Sequence, residues 1–151
     1  MSERHETLAI RNLRLDVAQS GNDIVDEVTL TIARGEVLGL VGESGSGKTT
    51  VGLAVLGHAR KGVGIHSGTV SIEGTDVLAA HGKDLRRARG RLVSYVPQDP
   101  GTALNPALRI GGQVLEVLQT HGFGADNAAR KQRVQEVFSE VLFPATPSFL
   151  R

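Results

Sequence analysis

One run of eight residues, Gly42-Glu43-Ser44-Gly45-Ser46-Gly47-Lys48-Thr49, constrains this chain more than any other stretch of its sequence. It follows a short segment that is apolar on both faces, Val37–Val41, and it precedes the helical spacing of Thr49–His58. A segment apolar on both faces is typical of a buried parallel strand, and glycines allow a tight loop between a strand and a helix. The order strand, loop, helix therefore predicts an α/β fold.

The same eight residues match the pattern G-x-x-x-x-G-K-[ST] at every fixed position, which is typical of a phosphate-binding loop. Backbone N–H groups and the start of a helix neutralise a bound phosphate, and glycines let the backbone come close with positive φ. Lys48 is expected to reach the β- and γ-phosphates of ATP, and the Thr49 hydroxyl to ligate Mg²⁺. The alternative is a glycine-rich turn with an incidental lysine. The predicted nucleotide-binding residues are Gly42, Glu43, Ser44, Gly45, Ser46, Gly47, Lys48, Thr49 and Thr50.

The rest of the chain predicts further strands and helices. Two alternating, β-branched segments, Leu8–Val17 and Ile24–Ala33, indicate an antiparallel pair. Gly62, Gly64 and Gly68 are expected to interrupt the chain before a third strand. The remaining predicted elements are strands at Thr69–Glu73 and Leu92–Val96, a short basic helix at Lys83–Arg89, and helices at about Gly111–His121 and Ala125–Leu142.

Composition excludes several classes of protein. The chain has no cysteine, so it has neither a disulfide framework nor a thiolate metal site. No apolar run approaches the roughly 20 residues that span a bilayer. The net charge of +1 does not favour a nucleic-acid partner. The basic residues Lys83, Arg86, Arg87, Arg89 and Arg91 are accordingly interpreted as a solvated helix face.

A second motif narrows the choice among P-loop proteins. Tyr95-Val96-Pro97-Gln98-Asp99-Pro100 is followed by Ala103-Leu104-Asn105-Pro106. Together with the P-loop, this string resembles the ATP-binding subunits of ABC transporters, and within them the branch that imports oligopeptides, dipeptides and nickel. The resemblance extends over essentially the whole chain.

The resemblance implies an ABC-type P-loop nucleotide-binding domain. Residues 1–107 would form a partial nucleotide-binding core with an N-terminal antiparallel β segment, and residues 108–151 the beginning of a helical subdomain. Gln98 would be the Q-loop glutamine, a catalytic residue and, with Thr49, a Mg²⁺ ligand. The Gln98–Pro106 loop would contact the transmembrane permease subunits, and a second ATP-binding subunit would complete a homo- or heterodimer. The protein would be cytoplasmic and peripheral on the inner face of the cell membrane, with neither nucleic-acid binding nor direct membrane insertion.

The sequence departs from the family pattern in three respects. It contains neither the signature L-S-G-G-Q nor an apolar strand ending in Asp-Glu, the Walker B carboxylates. We therefore expect a domain truncated before its catalytic half, which does not turn over ATP by itself. Moreover, the hairpin segment Val17–Val25 has no aromatic residue to stack on adenine, which predicts weaker recognition of the base. Two other interpretations stay open, namely a soluble P-loop kinase or other NTPase and a non-functional truncated remnant.

Overall fold

The computed structural model describes residues 6–99, 101 and 103–142. The chain divides into two compact units, Met1–Tyr95 and Val96–Arg151. In chain order the elements are β1 Glu6–Val17, β2 Asp23–Ala33, α1 Lys48–Val55, β3 Val63–Ile72, β4 Thr75–Asp76, α2 Gly82–Ala88, α3 Ile110–Thr120 and α4 Asn127–Glu140.

The first unit contains a four-stranded antiparallel sheet of order β2-β1-β3-β4. The predicted pair of N-terminal strands is confirmed: β1 and β2 pair antiparallel, with Ala9 opposite Thr31. Ile10, Leu13 and Leu15 are fully buried in the core, and an irregularity in the pairing between Ile10 and Leu13 lets both face the same side of the sheet. Strands β1 and β2 are the N-terminal antiparallel pair that the sequence predicts, and β3 and β4 extend their sheet.

The third strand is longer than the sequence predicts. Strand β3 begins at Val63 instead of Thr69, and it pairs with β1 along most of its length. Of the three glycines expected to interrupt the chain here, Gly62 precedes β3, whereas Gly64 and Gly68 lie within the strand, where β1 comes unusually close. A Cβ added at Gly68 would lie 2.5 Å from the Asn12 carbonyl oxygen and 2.6 Å from Leu13 Cα. Glycine within this strand therefore permits a close approach of two backbones and does not end the strand.

Helix α1 packs on the sheet through one face. Val51 and Ala54 are buried in a core that they share with Val25, Val70 and Val77. The other apolar residues of the helix are only half-buried, so it is less deeply buried than its composition suggests. One face of α1 therefore fixes the position of the glycine-rich loop that precedes it.

Two predicted parallel strands do not form. Val37–Val41 is irregular, and both Val37 and Val41 are 94% exposed. Leu92–Val96 is also irregular, apart from an isolated bridge between Val93 and Arg89. A strand that is apolar on both faces needs neighbours on both sides, and the described residues of the first unit provide none for either segment. The prediction of these two strands is therefore wrong for this structure.

The second unit contains the two predicted helices, α3 and α4, which are confirmed within two residues at each end. Helix α4 begins at an N-cap, Asp126, whose Oδ1 accepts a hydrogen bond from the Ala129 N–H at 2.8 Å. Val134 and Phe138 form the buried face of this helix. In the described part of the chain, no helix has the length and apolar character needed to cross a bilayer.

Candidate functional site

The glycine-rich loop leads directly into α1. The Ser46 N–H donates to the Glu43 carbonyl oxygen at 3.2 Å, which closes a tight turn, and the Val51 N–H donates to the Gly47 oxygen at 2.9 Å. Gly42, Gly45 and Gly47 have φ values of 154°, 86° and 85°, as the phosphate-binding hypothesis requires. The N-cap of α1 is Gly47, which has no side chain, so the first N–H groups of the helix are open to an external acceptor.

Gly47 also fixes the loop against the sheet. A Cβ added at this position would lie 2.9 Å from Val25 Cγ2 and 3.0 Å from the Ile24 carbonyl oxygen. Both residues belong to β2, so the end of the loop lies against this strand. The loop cannot shift toward the sheet, and the start of α1 is held in one place.

Lys48 folds back into the loop. Its Nζ donates to the carbonyl oxygens of Gly42 and Glu43, at 2.8 and 2.6 Å, and to Ser46 Oγ at 3.0 Å. All three acceptors belong to the glycine-rich loop, so the ammonium group lies inside its curve. A phosphate that entered the loop would meet this positive charge directly.

An open groove of about 320 Å³ lies beside the loop. Its wall comes from β2, from the segment before the loop and from the first turn of α1. The lining includes Ile24, Asp26, Leu40, Val41, Ser46 and Lys48. A groove with apolar walls and a lysine at one end suits a ligand that has an anionic part and a flat apolar part.

The residues present fit a triphosphate with Mg²⁺. The loop is closely packed, because a Cβ at Gly42 would lie 2.8 Å from Ser46 Oγ, so only glycine keeps the space open there. Thr49 is exposed at the start of α1, where its hydroxyl is accessible to a metal ion bound beside the phosphates. An oxygen donor of this kind suits Mg²⁺.

Apart from Tyr95, the predicted second motif belongs to the second unit. Gln98 and Asp99 are exposed, whereas Pro100 and Thr102 lie outside the described residues. The Leu104–Leu108 end of this loop is held by Gln113, whose Nε2 donates to the carbonyl oxygens of Asn105 and Leu108 at 3.0 and 3.1 Å. The role of Gln98 in catalysis and metal binding stays a prediction.

One residue at the end of α1 farther from the loop departs from the interpretation based on the sequence. Arg89 was assigned to a solvated face, but it is half-buried, and its guanidinium binds carbonyl oxygens at the end of α1. Lys83, Arg86, Arg87 and Arg91 are exposed, as expected. No local pattern distinguishes Arg89 from its basic neighbours, because its partners lie more than 30 residues away in the sequence.

The chain is similar to several peptide-transport proteins. It is 41% identical over 120 residues to the dipeptide transport ATP-binding protein DppD of Haemophilus influenzae, covering 80% of this chain and 36% of that protein. It is 38% identical over 140 residues to a probable D,D-dipeptide transport ATP-binding protein of Escherichia coli, covering 91% of this chain and 42% of that protein. The dipeptide transport protein DppD of Lactococcus lactis is 30% identical over 141 residues, which cover 92% of this chain and 40% of that protein. The chain thus spans about two fifths of the length of these relatives.

The family profile gives the broader assignment. Residues 25–148 match the profile of the ABC transporter family, and this match includes the glycine-rich loop, α1 and the Gln98 motif. The α/β P-loop fold class and the resemblance of the second motif are thereby confirmed. The chain belongs to the ABC transporter family.

Proposed function

We propose that this chain binds ATP together with Mg²⁺ at the loop Gly42–Thr50. The observation that carries the proposal is the position of the Lys48 ammonium group inside the loop, within 3.0 Å of three loop oxygens. The loop itself ends at the uncapped start of α1. A cation and a row of free N–H groups facing one small space form a site for a dense anion.

On binding, the Lys48 ammonium group would exchange the loop oxygens to which it donates for phosphate oxygens. Lys48 now donates to two carbonyl oxygens and one hydroxyl, all of which are neutral acceptors. Phosphate oxygens carry negative charge, so hydrogen bonds to them would add ion pairing with the ammonium group, which the neutral loop oxygens do not provide. The exchange would therefore favour the bound state. Thr49 would ligate the Mg²⁺ ion beside the β- and γ-phosphates, and Gln98 would supply a second oxygen ligand.

The intact protein would couple ATP hydrolysis to the import of peptides across the inner membrane. The support is the set of relatives named for dipeptide transport, which favours peptides over nickel as the cargo. The Gln98–Pro106 loop would contact the permease subunits, and a second ATP-binding subunit would complete the nucleotide site. The protein would then lie on the cytoplasmic face of the membrane. The family match also disfavours a soluble P-loop kinase.

Lys48→Ala tests the proposal because it removes the ammonium group on which the proposal depends. We expect this variant to lose affinity for a fluorescent ATP analogue by about a hundredfold or more, because each hydrogen bond to a charged group contributes about 1.5–3 kcal/mol. The matched control is Lys83→Ala, which removes an exposed lysine from α2. The control is expected to bind like the parent chain. Equal affinity of the parent and Lys48→Ala would show that the loop does not bind the triphosphate.

A further inference from the structure

Arg89 lies at the end of α1 that is farther from the phosphate loop. Its Nε donates to the Leu56 carbonyl oxygen at 2.8 Å, and its Nη2 donates to the Gly57 carbonyl oxygen at 3.1 Å. Leu56 is the C-cap of α1, and Gly57 follows it with a φ of 62°. One guanidinium thus binds two consecutive carbonyl oxygens at the helix terminus. We propose that Arg89 is a positioning residue for the ATP site, acting through α1; the proposal rests on the function inferred above.

The backbone hydrogen bonds at this terminus involve carbonyl oxygens other than the two that Arg89 binds. The Gly57 N–H donates to the Ala54 oxygen at 2.8 Å, and the His58 N–H donates to the Leu53 oxygen at 3.1 Å. This pair of bonds is a Schellman motif, which satisfies the carbonyls of the preceding turn. The Leu56 and Gly57 oxygens follow that turn, and these are the two that Arg89 binds. The side chain therefore extends the cap by two further carbonyl oxygens.

The charge of Arg89 also matches the helix dipole. The last turn of α1 contains no basic residue of its own, and the partial negative charge at this end has no cation from within the helix. Arg89 supplies that cation from the segment after α2. Its own backbone is fixed on both sides, because the Arg89 N–H donates to the Leu85 oxygen and the Gly90 N–H donates to the Val93 oxygen.

The geometry of the phosphate site depends on α1 staying folded. This helix has only eight residues, and helices of that length are not stable by themselves in water. Only Val51 and Ala54 are buried on its packing face. Lys48, Thr49 and the free N–H groups belong to its first turn, so loosening of the helix would disperse the groups that meet the phosphates. Arg89 limits that loosening from the opposite end.

The test compares Arg89→Met with Arg89→Lys and Arg86→Met in the full 151-residue chain. Two quantities are measured, namely the affinity for a fluorescent ATP analogue and amide hydrogen exchange of α1 relative to that of β1. Circular dichroism at the working temperature shows whether each variant keeps its secondary structure. Arg86 is the matched control because it is an exposed arginine of α2, the helix that ends directly before Arg89.

We expect Arg89→Met to bind the ATP analogue about five- to tenfold more weakly and to exchange α1 amides about tenfold faster, with β1 unchanged. Arg89→Lys keeps the charge but loses the planar fork, so it should recover part of the affinity. Arg86→Met should match the parent. A purely structural role would lower the melting temperature of Arg89→Met while leaving the affinity of the folded chain unchanged, and that result would overturn the proposal. So would parental exchange of α1 in Arg89→Met.

Binding of the ATP analogue by the parent chain distinguishes a failure of the proposed function from a failure of the inference about Arg89. If the parent does not bind the ATP analogue, the proposed function is wrong, and the role of Arg89 in an ATP site is wrong with it. If the parent binds and Arg89→Met binds equally well, only the inference about Arg89 is overturned. A selective loss in Arg89→Met, with partial recovery in Arg89→Lys, supports both.

Discussion

At the scale of single residues, Gly47 is the loop position at which an added side chain would be least tolerated. Its φ of 85° is strained for a residue with a side chain, and a Cβ there would lie 2.9 Å from Val25 Cγ2. We expect Gly47→Ala to lower the free energy of unfolding by about 1–2 kcal/mol from backbone strain alone. Because the strain falls on the start of α1, affinity for the ATP analogue should fall too. Thermal melts and titrations measure the two effects.

Gly52 provides the matched control for that substitution. It lies in the interior of α1, and a Cβ added there would have no neighbour within 4 Å. Gly52→Ala should stabilise the helix by up to about 1 kcal/mol, because alanine favours a helix over glycine by that amount. If Gly47→Ala were as stable and as tight a binder as Gly52→Ala, the packing of the loop against β2 would be irrelevant to the site.

The sequence singles out Lys48 and Gly47 as candidate site residues but not Arg89. The first two belong to a local motif, and the chemistry of a phosphate loop requires a lysine and a glycine at that spacing. The bonds of Arg89 join residues 32 and 33 positions apart, and they exist only because α1 and the segment after α2 meet in space. A single sequence gives no indication of hydrogen bonds between residues so far apart.

At the scale of secondary structure, the same distinction separates the confirmed elements from the wrong ones. Strands β1 and β2 are confirmed because each is the other's neighbour. Helices α3 and α4 are confirmed because most of a helix's hydrogen bonds lie within the helix itself. Val37–Val41 has the composition of a strand but no partner among the described residues of its unit. An apolar pattern thus predicts that a segment favours the strand conformation. A paired strand also requires a neighbouring segment.

The exposed Val37 leads to a prediction about association. An unpaired segment with exposed apolar side chains favours contact between molecules. Val37 is 94% exposed, so Val37→Lys should leave the melting temperature nearly unchanged and should reduce aggregation. The contrasting variant is Leu13→Ala, which alters a fully buried side chain and should cost about 2–5 kcal/mol. Light scattering during a thermal ramp measures aggregation, and an unchanged scattering profile for Val37→Lys would show that this segment does not drive it.

At the scale of the whole molecule, the nucleotide loop and the predicted Q-loop glutamine belong to different compact units. The first unit, Met1–Tyr95, contains the glycine-rich loop and α1, and the second, Val96–Arg151, contains Gln98. The sequence interpretation places the boundary of the helical subdomain at residue 108, and that placement stays a prediction. The hydrogen bonds of Lys48 and the close packing of Gly47 join residues of the first unit.

ATP hydrolysis requires more groups in the site than ATP binding does, and this difference leads to the last prediction. A preparation of residues 1–151 should bind ATP with Mg²⁺ but release phosphate no faster than the uncatalysed background. Binding needs a cation and free N–H groups, and these are present around Lys48. Attack on the γ-phosphate further needs a residue that orients the water and groups that stabilise the developing charge. Loss of one such stabilising group typically slows a reaction by about a hundred- to a thousandfold.

The resemblance to ABC transporters assigns those roles to Walker B carboxylates and to a signature loop, whose motifs do not occur in these 151 residues. A phosphate-release assay on the parent chain and Lys48→Ala measures the difference between them. Equal background rates in both, together with ATP binding by the parent alone, would separate binding from hydrolysis. Phosphate release well above background that disappears in Lys48→Ala would instead show that residues 1–151 already contain a complete catalytic set.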